Sequence, residues 1–362
     1  MENFKAFLKR KNIVISAKRY GVDALGAMAQ GLFCTLLVGT ILNTIGTQFH
    51  IAFLTDSFIV LDATAGVSYT IGGCASAMVG PAMAAAIGNA LGAPPLVLFS
   101  LIPVGYATNL LGGAGGPLAV LVVSIVATEF GKAVSKETKI DILVTPIVTI
   151  FVGIGLAALV AAPIGAAASA VGQLIMWATD LRPFLMGILV SVLVGMALTL
   201  PISSAAICAA LGLTGLAGGA AVAGCCAQMV GFAVMSFKEN GVGGLVSQGI
   251  GTSMLQMPNI VRNPRIWIPP TLASAITGPI ATCVFKLTMD GAPVSSGMGT
   301  CGLVGQIGVY TGWVSTGHAI NAFDWAGMIL ICFVLPGLLS WVFCEVLRKI
   351  GWIGENDLKL PD

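Results

Sequence analysis

The sequence predicts an all-α polytopic membrane protein of about ten transmembrane helices with two re-entrant hairpins. Three observations lead to that class. Of 362 residues, 57% are hydrophobic and 9% charged, where soluble domains carry about a quarter charged residues, and the mean hydropathy is +0.97. Apolar runs follow one another from Tyr20 to Leu347, room for about ten crossings at roughly 20 residues each. Between two of these runs lies GTSMLQMPNIVRNPRIWIPP, Gly251 to Pro270, which mixes Thr252, Ser253, Gln256, Asn259, Arg262, Asn263 and Arg265 with Pro258, Pro264, Pro269 and Pro270. Each proline removes a backbone donor and disfavours helix in the residue before it. Irregular backbone at membrane depth persists only where protein or a water-filled cavity surrounds it. The stretch therefore reads as a broken-helix binding site, with an ordinary polar loop between helices as the competing reading.

Taken in order, residues 1–19 form a basic segment in which Phe4, Phe7, Leu8 and Ile15 can share a helical face against the lysines, the pattern of an interfacial amphipathic helix. No secretory signal is expected, because the apolar run after Arg19 is too long for one. Residues 20–165 read as a scaffold half. Its spans are expected near 22–46, 58–74, 76–92, 95–111, 117–130 and 140–163. Spacings such as Ala84, Gly88 and Gly92 allow close helix approach in lipid, and Pro81, Pro103, Pro146 and Pro163 would kink the helices holding them. Residues 166–183, with Trp177, Asp180 and Arg182, read as an amphipathic connector. The second half, 184–347, is expected to hold spans near 184–204, 206–235, 266–286 and 323–347, and hairpins near 241–257 and 291–312, followed by a tail over 348–362.

Charge placement sets the orientation. Lys5, Lys9, Arg10, Lys11, Lys18 and Arg19 precede the first span, and Arg348, Lys349 and Lys359 follow the last, so the positive-inside rule puts both termini in the cytoplasm. Lys132, Lys136 and Lys139 assign their loop to the same side. That requires an even number of crossings before it, whereas five segments are counted, so one of the five is re-entrant or wrongly divided.

Short, glycine-interrupted segments flanking a full span point to a transporter's binding site. Here they are the two expected hairpins. Half-helices ending inside protein offer free N–H groups to anionic or hydroxyl-rich ligands. Gly297 to Gly302 matches GxGxxG, but the dinucleotide fingerprint needs a strand before it and the surroundings are membrane helix. Ser295, Ser296 and Thr300 there read as ligand contacts or helix caps. His50 and His318 have no carboxylate in sequence register and read as interfacial residues. Asp56 and Asp62, near an expected membrane boundary, read as solvated ends. The nine cysteines show no CxxC and no Cys/His spacing for a metal, and read as small buried apolar residues. Neither metal nor cofactor nor nucleic acid is expected, and no catalytic residue is assigned.

Asn263-Pro264 followed by Ile268-Pro269-Pro270, set between two hairpins, resembles the NP…IPF segment of enzyme IIC, the membrane subunit of the sugar phosphotransferase system in its glucose-type superfamily. RNPRIWIPPTLASAITGPIATCVFK and GMGTCGLVGQIG are similar to a compact branch that includes perfringolysin-regulator-type membrane proteins. The resemblance covers nearly the whole chain. It implies a ten-span fold of two halves that dimerises through the first half and moves the second as an elevator, in a bacterial plasma membrane. The family phosphorylates its sugar with a glutamate just ahead of the NP segment, and many members add a histidine two spans earlier. Gly251 to Pro258 holds no acid here, and Pro183 to Phe237 holds no histidine. About fifteen residues follow the last span, so no fused phosphocysteine or phosphohistidine domain is expected. Cytoplasmic phosphotransferase subunits are candidate partners. The expected function is transport of a small polar solute, a sugar or sugar-like metabolite. The alternatives are a membrane sensor that binds without transporting, and an ion-coupled transporter using Asp56, Asp62 or Asp324. The expected solute contacts are Gln248, Thr252, Ser253, Gln256, Asn259, Arg262, Asn263, Ser296, Thr300 and Gln306, with Arg265 a further partner for an anionic group.

Overall fold

A computed structural model describes residues 2–57, 59–62 and 67–360, and the side chains of Glu2, Asn3, Phe4, Leu61, Asp62 and Val67 lie outside its described part. The chain divides into two compact units, Met1–Ala166 and Ala167–Asp362. Helix dominates both, as a chain of apolar, alanine-rich runs in lipid requires.

The N-terminal unit begins with α1 (Glu2–Arg10). A continuous apolar stretch, Arg19–Gln48, then contains α2 (Ala24–Leu32) and α3 (Val38–Gln48) separated by a π-helical turn. After α4 (Ala52–Thr55), β1 (Ile59–Asp62) and β2 (Val67–Tyr69) pair antiparallel, with Ile59 opposite Tyr69 and Val60 opposite Ser68. This replaces the span expected over 58–74. Asp56, Ser57 and Asp62 leave only short apolar runs there, and β-branched Ile59, Val60 and Val67 favour extended backbone. Next come α5 (Ile71–Ala77), capped by Thr70 Oγ1 accepting from Gly73 N at 2.9 Å, and α6 (Val79–Ala90). The pair bends by 51°, just ahead of Pro81, whose ring opposes the carbonyl four residues back.

Prolines at the first turn open α7 (Pro95–Gly112) and α8 (Gly116–Val134), where a missing N–H costs nothing. Gly113 lies between them at φ 50°. A straight helix through this 40-residue apolar run would be about 60 Å long, twice the hydrocarbon thickness. The turn instead lets α7 and α8 pack on each other. Helix α9 (Asp141–Thr179) runs unbroken for 39 residues, and its sequence passes from the first unit into the second. It continues through most of the stretch read as a connector, since nothing between Pro163 and Pro183 stops an alanine-rich helix.

The C-terminal unit is organised around α12 (Gly215–Met235), whose apolar window is 89% buried within the protein. Around it pack α10 (Pro183–Thr199), α15 (Ile268–Pro279) and α18 (Leu335–Ile350). Small residues set these distances. A Cβ on Gly224 would meet the backbone of Ser191, and one on Gly278 that of Gly187. Hydroxyls reinforce the crossings, with Ser191 Oγ donating to the Ser274 carbonyl at 2.7 Å, as expected for helices that cannot use the hydrophobic effect against lipid. The remaining helices are α11 (Ser204–Ala210), α13 (Phe237–Val246), α14 (Met257–Arg262), α16 (Val304–Ser315) and α17 (Ala322–Ile329). Among the described residues five helical stretches are long and apolar enough to cross a membrane, or six if the bent α5–α6 pair is one span. Of the cysteines, Cys34 and Cys283 face outward and Cys74 is half-buried, while the other six are buried.

Candidate solute-binding site

Between α13 and α15 the backbone changes conformation repeatedly, and the sequence dictates where. A π-turn over Ser247–Gly251 ends at extended Thr252 (φ −158°, ψ 140°). Thr252 Oγ1 accepts from Met254 N at 3.2 Å and restarts the chain as a 3-10 turn over Ser253–Gln256, which leads into α14. Pro264 then holds Asn263 extended (φ −137°, ψ 92°), and Asn263 Oδ1 accepts from Arg265 N at 3.2 Å to start the turn before α15.

These breaks bury polar side chains that a regular helix would have spread around its surface. Gln248, Ser253 and Gln256 are fully buried, and Asn259 and Thr252 nearly so. Three of them form one amide chain. Gln256 Nε2 donates to Gln248 Oε1 at 2.8 Å, Asn259 Nδ2 donates to Gln256 Oε1 at 2.8 Å, and Gln248 Nε2 donates to Ser236 Oγ at 2.9 Å. A buried amide left unpaired costs about 1–3 kcal/mol, so the chain stabilises this conformation against others.

The segment after α18 completes the network. Gly351 (φ 81°) terminates α18, its N–H donating to the Arg348 carbonyl at 3.0 Å and that of Trp352 to the Leu347 carbonyl at 2.9 Å. Both bonds are those of a Schellman motif. The chain then crosses the polar stretch. The Leu358 carbonyl accepts from Gln256 Nε2 at 2.9 Å and Asn240 Nδ2 at 2.8 Å, and the Lys359 carbonyl from Asn259 Nδ2 at 2.8 Å. Asn263 Nδ2 donates to the Trp352 carbonyl at 3.0 Å and to Asp357 Oδ2 at 2.8 Å. Arg265 lies over the Trp352 ring, 5.1 Å from its centroid. Ile353 and Leu358 are buried against Phe232, Met235, Ile260 and Ile266. Arg348 pairs with Glu239 at 2.5 Å, tying the end of α18 to α13. Arg262 stays exposed, 3.5 Å from Asn259 Oδ1.

Ser253 belongs to a second network, which sequence reasoning did not assemble. Its Oγ lies 2.8 Å from Thr199 Oγ1 on α10, and Gln228 Oε1 on α12 is 3.3 Å from that hydroxyl. Trp267 Nε1 donates to the same Gln228 oxygen at 2.9 Å, and Gln228 Nε2 donates to Thr271 Oγ1 at 3.3 Å. Trp267 and Thr271 line a cavity of about 260 Å³ with Met196, Pro264, Ile268 and Leu272. A lone glutamine inside the glycine- and alanine-rich α12 was the available signal.

The residues of the second expected hairpin turn to a different neighbourhood. Ser296 Oγ donates to the Leu213 carbonyl at 2.6 Å, Thr300 Oγ1 lies 3.6 Å from Met229 Sδ, and Gln306 Nε2 is 3.2 Å from Cys226 Sγ. Gln306 Oε1 is buried without a hydrogen-bond partner among the described residues. Gly302 and Leu303 both take positive φ, 52° and 60°, an uncommon and strained state for leucine. The turn Cys301–Leu303 packs against Ser247–Gly251, so the two broken segments meet at these turns. His318 does have a carboxylate partner, Asp324 Oδ2 at 3.0 Å. Asp324 also completes the capping box of α17 with Asn321, which makes it a structural residue, and Asp56 is exposed.

A predominantly helical, glycine-packed chain with this interrupted NP segment has a counterpart among known families: the family described as phosphotransferase system, EIIC matches residues 22–360. The chain belongs to that family. No curated protein and no solved structure matches it. As an EIIC protein it is a multi-pass membrane component of sugar transport. Its broken segment is nevertheless unlike the phosphorylating EIIC pattern set out above, since Gly251 to Pro258 holds no carboxylate. The nearest acids in this EIIC chain's network, Glu239 and Asp357, are engaged by Arg348 and by Asn263 with Gly354 N.

Proposed function

We propose that this EIIC chain carries a sugar or sugar-like metabolite across a bacterial plasma membrane by an elevator-type movement of residues 184–347, without a phosphoryl-transfer group of its own. One observation supports it above the rest: an indole, Trp267, stands beside a cavity with its N–H fixed on Gln228 and with Thr271 hydroxyl alongside. Sugars present an apolar ring face and a rim of hydroxyls. The indole suits the first and the Thr271 hydroxyl the second, held in place by the fully buried Gln228, Thr199 and Ser253, at a cavity somewhat below the roughly 300–1,000 Å³ of drug-sized ligands. Gln248, Gln256, Asn259 and Asn263 form the rigid polar wall adjoining Ser253, and Arg262 is available to an anionic substituent. Thr252, Ser296, Thr300 and the unpaired Gln306 carbonyl belong to the wall and to the second hairpin. Residues 20–165 form the scaffold of a homodimer in this reading, both termini face the cytoplasm, and the cysteine- and histidine-phosphorylated subunits of the system remain candidate partners.

Counterflow in proteoliposomes tests the transport reading. Protein preloaded with the correct sugar exchanges labelled sugar, and Trp267→Ala reduces apparent affinity at least tenfold, in keeping with about 1.4 kcal/mol or more for one lost ring contact. A sugar that raises the melting temperature yet never exchanges would instead establish the second reading, a membrane sensor. That reading has its own support: the amides of Gln256, Asn259 and Asn263 hold the 351–360 segment, so a ligand competing for them would release it.

A further inference from the structure

We propose that a basic cavity in the N-terminal unit binds the phosphate of an acidic lipid headgroup. The cavity measures about 370 Å³ and is lined by Arg10 at the end of α1 with Lys11 and Asn12 after it, by Pro94 at the start of α7, and by Lys132, Lys136 and Glu137 around the end of α8. The lining thus holds four cations and one carboxylate, with Glu129 and Asp141 the further acids interacting with these cations. Glu137 Oε1 answers two of them, Arg10 at 2.8 Å and Lys11. Lys132 is buried, paired with Glu129 at 2.8 Å and bonded to the Leu91 carbonyl at 3.0 Å. Lys136 remains. Its ammonium makes no hydrogen bond or ion pair among the described residues and acts on the Asp141 carboxylate only through charge, while its N–H is held by Asp141 Oδ1 at 2.6 Å in a left-handed backbone (φ 61°). Helix α7 starts on this cavity with no side chain capping it, so its positive dipole end adds to the field.

Charge alone would suit a soluble phosphate equally. The apolar surroundings select a lipid. Ile15, three residues past Asn12, is 80% exposed, and Ile142, six past Lys136, is 71% exposed, with Ile140 and Leu143 beside it also exposed. Such side chains are misplaced in water and well placed at the boundary between acyl chains and headgroups. The positive-inside rule assigns this loop to the cytoplasmic, anionic leaflet.

Native mass spectrometry of the full-length protein released from detergent provides the test. Phosphatidylglycerol is expected to stay bound and phosphatidylcholine to dissociate. The pair Arg10→Gln and Lys136→Asn should weaken phosphatidylglycerol binding about thirtyfold, from two surface cations. Asparagine at 136 tolerates the left-handed backbone, and an unchanged melting temperature in phosphatidylcholine would show that the fold is kept. If the pair is unstable, Lys136→Asn alone, which breaks no ion pair, should weaken binding about fivefold. Equal retention of both lipids, or undiminished phosphatidylglycerol on either variant, overturns the proposal. Stabilisation by inorganic phosphate without a retained lipid overturns the lipid assignment and makes the occupant a soluble phosphate.

Discussion

Gln256 joins three parts of the C-terminal unit through one side chain, holding Gln248, Asn259 and the Leu358 carbonyl at 2.8–2.9 Å. Its removal strands an acceptor on Gln248 and a donor on Asn259, while the Leu358 carbonyl keeps its bond from Asn240. Each stranded group costs about 1–3 kcal/mol, and neighbours in one network do not add. Gln256→Ala is therefore expected to destabilise the protein by about 3 kcal/mol, read as a drop in melting temperature in detergent. A melting temperature equal to that of the parent would mean that water fills the gap without loss. Buried amides in the 248–263 stretch were legible from sequence, because glutamines and asparagines among prolines and apolar runs have to go inside. What they hold was not legible. The partner of Gln256 is 102 residues away, and no local pattern marks Leu358 as anything but one leucine in a polar tail.

Helix α1 depends on an electrostatic latch. Arg10 and Lys11 meet Glu137, and the Lys11 hydrogen bond first, with Arg10 adding to it, holds the Glu137 carboxyl below the usual carboxylate range. A depressed folded pKa stabilises the native contact fully above the ordinary value of 4.5, and that contribution disappears as pH falls through the lowered value. Protease sensitivity of residues 1–19 is thus expected to be flat at neutral pH and to rise only in the acid range below 4.5. In Glu137→Gln it should be high throughout, and a parent profile with no acid rise would remove the latch. The same elements show which features a sequence discloses. The breaks at Thr252 and Asn263 were visible because Pro264 and the local hydroxyl and amide caps act within two residues. By contrast, β1 and β2 were hidden because hydropathy averages over Ile59 and Val60 without regard to their β-branching. The extension of α9 to Thr179 was hidden because Trp177 and the small residues before it resemble an interfacial connector.

For the molecule as a whole, α9 is the element with the most to cover. Its apolar window is only 22% buried. Phe151 and Leu159 are 79% and 74% exposed, while Ala158, Ala162 and Ala166 are exposed at four-residue spacing beside them. Lipid would cover such a face, but small-xxx-small spacing also lets a second helix approach closely. In the proposed homodimer that second helix is the α9 of another copy. Ala162→Cys, in a background with Cys34 and Cys283 changed to serine, should then form a covalent dimer in membranes on mild oxidation. Monomer alone across cysteines at 158, 162 and 166 would assign the face to lipid and withdraw α9 from the dimer.

The closing of residues 351–360 over the polar stretch also makes time a part of this fold. Asn240, Gln256 and Asn259 wait for carbonyls that lie 100 to 118 residues further along the chain. At roughly 5–20 residues per second of synthesis, the ribosome delivers those carbonyls some five to twenty seconds after it has made the amides. Throughout that interval these amides lack the acceptors that the finished protein gives them. A chain stalled before Leu358 would keep that mark, and a cell's membrane proteases would find it there.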